Sequence, residues 1–212
     1  MIPDILRVWG ASPTGNVGLI WIFCIFLYSY ILGSIPFGIL TSKFFNLGNI
    51  RNIGSGNIGA TNVLRTGNKK AALITLILDI SKGLFVVYIT KEILGITASH
   101  FAALGVFFGH LFSIFLLFKG GKGVATFIGI QIILNYHIAI YFCFIWLVVA
   151  IVSRYSSLSS LIASISSLVI LILINDLSYL WLQIILVGTI CISHKKNILN
   201  LIAGNENKIK LS

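Results

Sequence analysis

Residues 19–40 read LIWIFCIFLYSYILGSIPFGIL and contain no charged side chain. A helix of this length extends about 33 Å at ~1.5 Å per residue, which is enough to cross the ~30 Å hydrocarbon core of a bilayer. The sequence GSIPFG at residues 33–38 interrupts the segment near its end. Pro36 predicts a kink there, and the alternative is a hinge that aims the following loop. The stretch therefore predicts a first membrane span that is broken near residue 36.

Six further apolar stretches follow, and together they predict an all-α, polytopic membrane bundle of about seven transmembrane helices. The later predicted spans are residues 71–90, 100–118, 124–136, 137–153, 157–174 and 177–192. The fourth and fifth spans are shorter than the ~20 residues that cross a bilayer, so a count of five is the alternative. Either odd count places the two termini on opposite sides of the membrane.

The composition excludes a soluble domain. In this chain of 212 residues, 58% are hydrophobic, 9% are charged and the mean hydropathy is +1.03. We interpret residues 1–212 as a single integral-membrane domain. The first apolar run begins near Leu19 without the flanks of a cleavable signal peptide, so it is expected to remain as a span. Cys24, Cys143 and Cys191 lie singly in apolar runs, which predicts packing residues and no metal site.

The distribution of the net charge of +10 predicts the orientation. Most basic residues lie in loops that alternating spans place on one side, and cytoplasmic loops are enriched in Lys and Arg. These residues are Lys43, Arg51, Arg65, Lys69, Lys70, Lys119, Lys122, Arg154, Lys195, Lys196, Lys208 and Lys210. The predicted topology has an extracytoplasmic segment at 1–18 and a cytoplasmic tail at 193–212. The same distribution favours the lipid bilayer as a partner and argues against nucleic acid.

Two glycine-rich segments, GSGNIGATN at residues 54–62 and KGGKGVAT at residues 119–126, interrupt the apolar sequence. Glycine and asparagine offer N–H groups, lysine adds charge, and both segments precede predicted helices, which together predict a phosphate site. Gly54, Gly56 and Gly59 also match GxGxxG, but no predicted strand precedes them, which argues against a dinucleotide site. A phosphate site at a membrane surface indicates lipid-phosphate chemistry. The alternative is a small anion or phosphate transporter, whose binding residues would lie near the bilayer midplane.

Asp79 and Lys82 lie inside the predicted second span, three residues apart and on one helix face. Charged groups in a bilayer are costly unless they are paired or face a wet interior. The two residues therefore predict either a mutual ion pair or a residue that borders the substrate site.

Five ordered motifs resemble those of the bacterial membrane acyltransferases known as the PlsY family. They are residues 33–38; Ile50-Arg51 with 54–65; Asp79 with Lys82-Gly83; Gly109-His110 with 118–126; and His194-Lys195-Lys196-Asn197 with Gly204 and Glu206. The resemblance implies transfer of an acyl group from acyl phosphate to glycerol 3-phosphate, giving 1-acyl-glycerol 3-phosphate and phosphate in the first step of phospholipid synthesis. It also implies seven spans in the bacterial inner membrane and an active site that faces the cytoplasm.

The resemblance assigns roles to individual residues as well. The implied catalytic residues are Ser55, Arg65, Lys122, His194 and Asn197. The implied substrate- or phosphate-binding residues are Gly54, Gly56, Asn57, Gly59, Thr61, Asn62, Lys119, Gly120, Gly121, Gly123, Thr126 and Glu206. No metal or cofactor is expected. A soluble phosphate acyltransferase that produces acyl phosphate is the expected protein partner.

Three positions depart from the usual pattern of that family. Asn49 replaces an acidic residue, Ser113 replaces a proline and Asn200 replaces an arginine. His194 is the candidate general base, and the alternative, which the resemblance implies, is that a substrate phosphate takes the hydroxyl proton while His194 binds and orients. We favour the second role because the apolar sequence offers no partner that would tune the imidazole.

Overall fold

The computed structural model describes residues 16–209 and contains no β-strand within that range, which confirms the all-α prediction. The helices are α1 Asn16–Gly33, α2 Phe37–Phe44, α3 Ala60–Leu64, α4 Lys69–Leu94, α5 Ile96–Leu111, α6 Val124–Leu134, α7 Tyr136–Ser153, α8 Ser156–Leu173, α9 Leu180–Ser193 and α10 Lys195–Ile202. Short 3₁₀ turns lie at Ile50–Asn52 and Ile114–Leu116. Most of the predicted 1–18 segment and the end of the tail, residues 1–15 and 210–212, lie outside the described residues.

Five helical segments of the described chain are long and apolar enough to cross a membrane. They are Gly18–Phe44, Lys69–Leu94, Ile96–Leu116, Tyr136–Ser153 and Ser156–Leu173. Two shorter apolar helices, α6 with 11 residues and α9 with 14 residues, accompany them. The stretch 137–153 thus forms a helix, α7, that is long enough to cross a membrane. The stretch 177–192 gives a shorter helix because the chain turns after α8, where Asn175 has a φ of 58°.

Helices α1 and α2 form one interrupted span. Proline has no amide N–H and disfavours a helical conformation for the residue before it. In agreement, α1 ends at Gly33 and α2 begins at Phe37, directly after Pro36. The predicted break is therefore confirmed, and α2 leads towards the first glycine-rich loop.

Glycines allow two pairs of helices to pack with their backbones close together. Where α1 packs along α5, a Cβ atom on Gly109 would lie 2.2 Å from the carbonyl oxygen of Tyr30. Where α4 packs along α6, a Cβ atom on Gly129 would lie 2.0 Å from the carbonyl oxygen of Ile80. Small residues permit such close contacts between membrane helices. The 26-residue helix α4, which also packs against α5, is thereby held in the centre of the bundle.

A polar network, which we call the glutamine network, joins α6, α8 and α9 inside the bundle. Gln131 Nε2 donates to Gln183 Oε1 at 2.5 Å, and Gln183 Nε2 donates to Ser167 Oγ at 3.0 Å. The Tyr179 hydroxyl donates to Gln131 Oε1 at 3.2 Å. All four side chains are buried. Because an unpaired buried polar group costs free energy, these mutual bonds favour one arrangement of the three helices.

Four helix ends meet at one end of the bundle. Helix α4 begins at Lys69, where the side chain of Asn68 accepts a backbone N–H of the first turn. Helix α6 begins after Gly123, which has a φ of 85°, a conformation that glycine adopts without strain. Helix α8 begins at Ser156 and α9 ends at Ser193. The loops attached to these ends carry both glycine-rich segments and the third predicted motif.

Candidate active site

A cavity of about 620 Å³ lies where these helix ends meet. Its polar lining residues are Ser55, Asn57, Thr61, Asn62, Arg65, Lys69, Asp79, His110, Lys122, Ser156, Ser157, Ser160, His194, Asn197 and Glu206. Its apolar lining residues are Ala60, Leu64, Ala72, Leu73, Leu76, Ile80, Val124, Ala125, Ile128, Cys143, Trp146 and Leu147. Gly59 and Gly123 complete the wall. Such a lining can hold a molecule that has both a polar head and an apolar tail.

Asn62 organises the first glycine-rich loop. Its side-chain amide donates to the carbonyl of Ile50 at 2.8 Å and to the carbonyl of Asn57 at 2.7 Å. Its Oδ1 accepts the backbone N–H of Ser55 at 3.2 Å. Because Asn62 is buried, these bonds replace those it would make with water. The loop is thus held from within, with Ser55 and Asn57 on the cavity wall.

Arg65 lies against the same loop. Its NH1 group is 3.5 Å from Asn62 Oδ1, and its NH2 group donates to the carbonyl of Asn207 at 3.1 Å. A Cβ atom on Gly54 would lie 2.6 Å from Arg65 Cδ, so the glycine leaves the space that this side chain occupies. Burial lowers the pKa of Arg65, and the charge of Glu206 opposes that shift. The guanidinium still carries its charge at neutral pH, as arginine does in proteins.

The second glycine-rich loop packs on the end of α5. Gly120 N donates to the carbonyl of Leu111, and Gly121 N donates to the carbonyl of His110, both at 2.9 Å. These two N–H groups are therefore used within the protein, contrary to the expectation that they face a phosphate. The loop presents Lys122 to the cavity instead.

Lys122 connects this loop to the third motif. Its Nζ donates a hydrogen bond to Asn197 Oδ1. Burial lowers the pKa of Lys122 to about 8, the nearby charges of Arg65 and Lys196 act in the same direction, and Glu206 acts to raise it. The amine of Lys122 is mostly protonated at pH 7, and Glu206 balances its positive charge only in part. The ammonium group can therefore bind an anion.

His194 lies at the end of α9. Its Nδ1 is 2.8 Å from the carbonyl oxygen of Ile190, and because a carbonyl only accepts, Nδ1 carries the proton and Nε2 is the acceptor. Burial lowers the pKa of His194 to about 4, and the charge of Lys122 acts in the same direction. The imidazole is therefore neutral at pH 7 and offers a hydrogen-bond acceptor rather than a charge.

Glu206 joins the tail to α8 and α10. Its Oε1 accepts hydrogen bonds from Asn197 Nδ2 at 2.7 Å and from Ser157 Oγ at 2.8 Å. Glu206 is the carboxylate whose charge acts on both Arg65 and Lys122. One carboxylate thus faces two cations, which leaves this part of the wall positive.

The cavity brings together all five predicted catalytic residues, Ser55, Arg65, Lys122, His194 and Asn197. It also contains the predicted binding residues Asn57, Gly59, Thr61, Asn62, Gly123 and Glu206. The predicted binding residues outside its lining are Gly54, Gly56, Lys119, Gly120, Gly121 and Thr126. Thr126 is fully buried, and Lys119 is exposed, with its carbonyl accepting from Arg51 NH2 at 2.6 Å.

The start of α8 was not assigned to the site by the sequence. Ser156, Ser157 and Ser160 line the cavity, and Ser156 Oγ lies 3.1 Å from Thr61 Oγ1. Trp146 on α7 donates from Nε1 to Ser160 Oγ at 3.1 Å. The serine-rich sequence SSLSS at residues 156–160 is the signal that could have indicated this wall.

Asp79 and Lys82 form the predicted ion pair, with Asp79 Oδ1 2.8 Å from Lys82 Nζ. Both side chains are buried. The ion-pair prediction is therefore confirmed, and Asp79 also lines the cavity, as the alternative interpretation expected of a residue beside the candidate site.

Two of the three departures from the family pattern have local partners. Asn49 Oδ1 accepts the backbone N–H of Arg51 at 3.0 Å. Ser113 Oγ donates to the carbonyl of Ser34 at 2.5 Å, a bond that a proline would not make. Neither residue lines the cavity.

Comparisons of the sequence with known proteins point to one family. The family model described as glycerol-3-phosphate acyltransferase matches residues 23–204. The glycerol-3-phosphate acyltransferase of Cereibacter sphaeroides is 46% identical over 197 residues, which cover 93% of this chain and 94% of that relative. That of Bartonella henselae is 48% identical over 192 residues, which cover 87% of this chain and 90% of the relative.

The fold is similar to solved structures of the same kind. The crystal structure of PlsY (YgiH), an integral membrane glycerol 3-phosphate acyltransferase in its glycerol 3-phosphate form, matches with a TM-score of 0.84 and 33% identity, covering 89% of this chain and 96% of that one. Its lysophosphatidic acid form matches with a TM-score of 0.80 and 32% identity, covering 88% and 94%. This chain therefore belongs to the glycerol-3-phosphate acyltransferase family and is an integral membrane acyltransferase.

Proposed function

We propose that the acyl donor is an acyl phosphate, the acceptor is glycerol 3-phosphate, and the products are 1-acyl-glycerol 3-phosphate and inorganic phosphate, in the first step of phospholipid synthesis. The observation that carries this proposal is the mixed lining of the cavity, which combines the cations Arg65 and Lys122 with aliphatic side chains. An acyl phosphate likewise combines a phosphate with a hydrocarbon chain. The solved relatives in glycerol 3-phosphate and lysophosphatidic acid forms support the same substrate and product.

The polar wall would bind the phosphate groups. Arg65 and Lys122 supply positive charge, and arginine can contact two phosphate oxygens at once. Ser55 and Asn57 lie on the loop beside Arg65 and would position oxygen atoms. Asn197 holds Lys122 through its Oδ1 and Glu206 through its Nδ2, which directs the ammonium group towards the cavity. No metal or cofactor is required in this scheme.

The apolar wall would hold the acyl chain. Leu73 and Leu76 on α4, Ile128 on α6, and Leu147 on α7 line it. Leu73 is 56% exposed and Leu147 is 54% exposed, so both side chains would face lipid at the edge of the cavity. A donor with a long hydrocarbon chain can therefore enter from the bilayer while its phosphate reaches the cations.

The reaction needs alignment and charge stabilisation more than strong base catalysis, because an acyl phosphate already has a good leaving group. The primary hydroxyl of glycerol 3-phosphate attacks the acyl carbonyl carbon and forms the ester C–O bond. The bond between that carbon and the phosphate oxygen breaks, and inorganic phosphate leaves. Arg65 and Lys122 stabilise the negative charge that develops on the departing phosphate.

The hydroxyl proton would pass to a substrate phosphate and leave with the inorganic phosphate. His194 has a pKa of about 4, which makes it a weak base at pH 7. Its Nε2 remains a hydrogen-bond acceptor and would orient the attacking hydroxyl. This assignment keeps the binding and orienting role for His194.

We further propose that residues 1–212 form one domain with seven spans in a bacterial inner membrane, with the N-terminus outside and the site facing the cytoplasm. Helices α6 and α9 would be the two additional spans, although each is shorter than the other five. The basic residues around the cavity support this orientation, since cytoplasmic loops are rich in Lys and Arg. Cysteine labelling should find Asn16→Cys accessible from outside and Asn207→Cys from inside, in a cysteine-free background. Labelling of both from one side would overturn the topology.

A cytoplasmic site would receive its donor from a soluble phosphate acyltransferase, the partner class that produces acyl phosphates. The positive surface of the tail, which includes Lys195 and Lys196, supports such a docking role, because both side chains are exposed. The same charges would attract anionic lipid headgroups.

The proposal is tested with purified protein in lipid vesicles, supplied with palmitoyl phosphate and glycerol 3-phosphate. We expect equimolar release of inorganic phosphate and formation of 1-palmitoyl-glycerol 3-phosphate, unchanged by a metal chelator. Palmitoyl-CoA in place of palmitoyl phosphate is the matched control and should give no product. Comparable turnover with palmitoyl-CoA would overturn the assignment of the donor.

A further inference from the structure

Asp79 and Lys82 form a buried ion pair on α4 that the proposed chemistry does not use. Their charged atoms are 2.8 Å apart, and the side chains of Asp79 and Lys82 are 3% and 5% exposed. Charged residues inside membrane helices are costly and mark functional positions more often than structural ones. The contacts of each partner indicate what this pair holds in place.

Lys82 connects the pair to the break between α1 and α2. Its Nζ donates to the carbonyl oxygen of Ile35 at 3.1 Å and lies 5.6 Å from the centre of the Phe37 ring. The carbonyl of Ile35 lies at the interruption that Pro36 causes, where a regular helix bond is missing. Lys82 therefore fixes the first span against α4 on one side of the pair.

His110 connects the pair to the second glycine-rich loop. Its Nδ1 lies 3.5 Å from Asp79 Oδ1, and its own carbonyl accepts the N–H of Gly121 at 2.9 Å. A Cβ atom on Gly121 would lie 2.2 Å from His110 Nε2, so the loop rests directly on the imidazole. Lys122 is the next residue along the chain.

We propose that His110, held by the Asp79–Lys82 pair, is a positioning residue. It sets the distance of the second glycine-rich loop from α5 and thereby the position of the Lys122 ammonium group. This inference rests on the proposed role of Lys122 in binding phosphate. Displacement of a catalytic group by about 1 Å can reduce the rate about a hundredfold. A membrane-embedded ion pair thus controls the geometry of a phosphate site at the membrane surface.

The first experiment adds a methyl group where the loop meets the ring. Gly121→Ala leaves every charge in place, and Gly121 has no positive φ, so the contact with His110 is its main effect. We expect kcat/KM to fall at least tenfold, with normal expression and a monodisperse profile in detergent. In His110→Ala/Gly121→Ala the ring is absent, so the double variant should be no less active than His110→Ala alone. If the two losses instead multiply, the loop does not rest on His110 and the proposal is wrong.

Two glycine variants serve as matched controls. In Gly188→Ala on α9, the new methyl group meets no atom within 4 Å, so activity should be unchanged. In Gly120→Ala, the methyl group would lie 2.1 Å from the carbonyl oxygen of His110, a backbone atom. Gly120→Ala combined with His110→Ala should therefore stay less active than His110→Ala alone, unlike the Gly121→Ala double variant. If both double variants were no less active than His110→Ala, the ring would have no specific role for Gly121.

The second experiment tests whether the ion pair acts through His110. Asp79→Asn should lower kcat/KM, and Asp79→Asn combined with His110→Ala should be no worse than the more impaired single variant. Multiplied losses would show that Asp79 acts by another route. The pH profile of His110→Ala should keep its shape, and loss of a titration would make His110 a proton acceptor and overturn its positioning role. Full activity of Lys122→Ala would instead refute the proposed phosphate site, which distinguishes the two failures.

Discussion

Two polar clusters among the described residues, the glutamine network and the cavity wall around Arg65 and Lys122, differ in charge and in access. The glutamine network is neutral and buried, and its four side chains bond to one another. The cavity wall around Arg65 and Lys122 is positive, because within residues 16–209 a single carboxylate, that of Glu206, acts on both cations. A neutral, saturated network stabilises helix packing, whereas positive charge beside an open cavity is suited to an anion. The difference separates polar residues that hold the bundle together from those that act on a substrate.

The largest expected effect is the loss of a cation from the cavity wall. Lys122→Ala and Arg65→Ala should each lower kcat/KM about 10²- to 10³-fold, because a charge that stabilises the departing phosphate is removed. Expression and thermal stability in detergent should remain close to those of the parent protein. Lys91→Ala, at the opposite end of α4, is the matched control and should retain activity. Retained activity in Lys122→Ala would place the phosphate elsewhere.

The pH dependence should report the charge of Lys122 directly. Its pKa is lowered to about 8, so the protonated form that binds phosphate is lost as the pH rises through that value. We expect kcat/KM for glycerol 3-phosphate to decline above about pH 8, by up to tenfold per pH unit. Lys122→Arg should move the decline to higher pH, since arginine keeps its charge. An unchanged alkaline limb in Lys122→Arg would assign the titration to another group.

His194→Ala should have a smaller effect than the loss of a cation. If Nε2 orients the hydroxyl, the KM for glycerol 3-phosphate should rise about tenfold, the value of one lost hydrogen bond in a partly buried site. The shape of the pH profile between about pH 5.5 and 7.5 should not change, because the pKa of His194 is about 4. Loss of a titration near pH 6 to 7 would identify His194 as the base.

The smallest expected effect on activity comes from the glutamine network. Gln183→Leu leaves Gln131 Nε2 without its acceptor and should destabilise the protein by about 1–2 kcal/mol. Thermal unfolding in detergent should show a lower Tm, while kcat and KM measured below that temperature stay unchanged. A reduced kcat with a normal Tm would mean that the two polar clusters are coupled.

The sequence predicts the class of fold and the members of the site better than it predicts their arrangement. Apolar stretches gave the bundle and the break at Pro36, because burial in lipid and the missing proline N–H act locally. Ser55, Arg65, Lys122, His194 and Asn197 all line one cavity, as their motifs indicated.

The remaining features depend on contacts between distant segments. Gly120 and Gly121 carry N–H groups that bind α5 rather than face the cavity, and no local pattern distinguishes these two uses. The serine-rich start of α8 joins the site because α8 packs beside the first loop, a fact that its own residues do not encode. The contact between the second glycine-rich loop and His110 likewise depends on how the helices pack.

The most direct test of the central claim compares glycerol 3-phosphate binding in variants of the two clusters. Calorimetric titration at pH 7 should give saturable binding to the parent protein and an unchanged Kd for Gln183→Leu. Lys122→Ala should bind at least tenfold more weakly, as expected for one lost contact between a cation and a phosphate. Equal affinity in Lys122→Ala and the parent protein would contradict the account, because the positive wall would then not be the site of the phosphate.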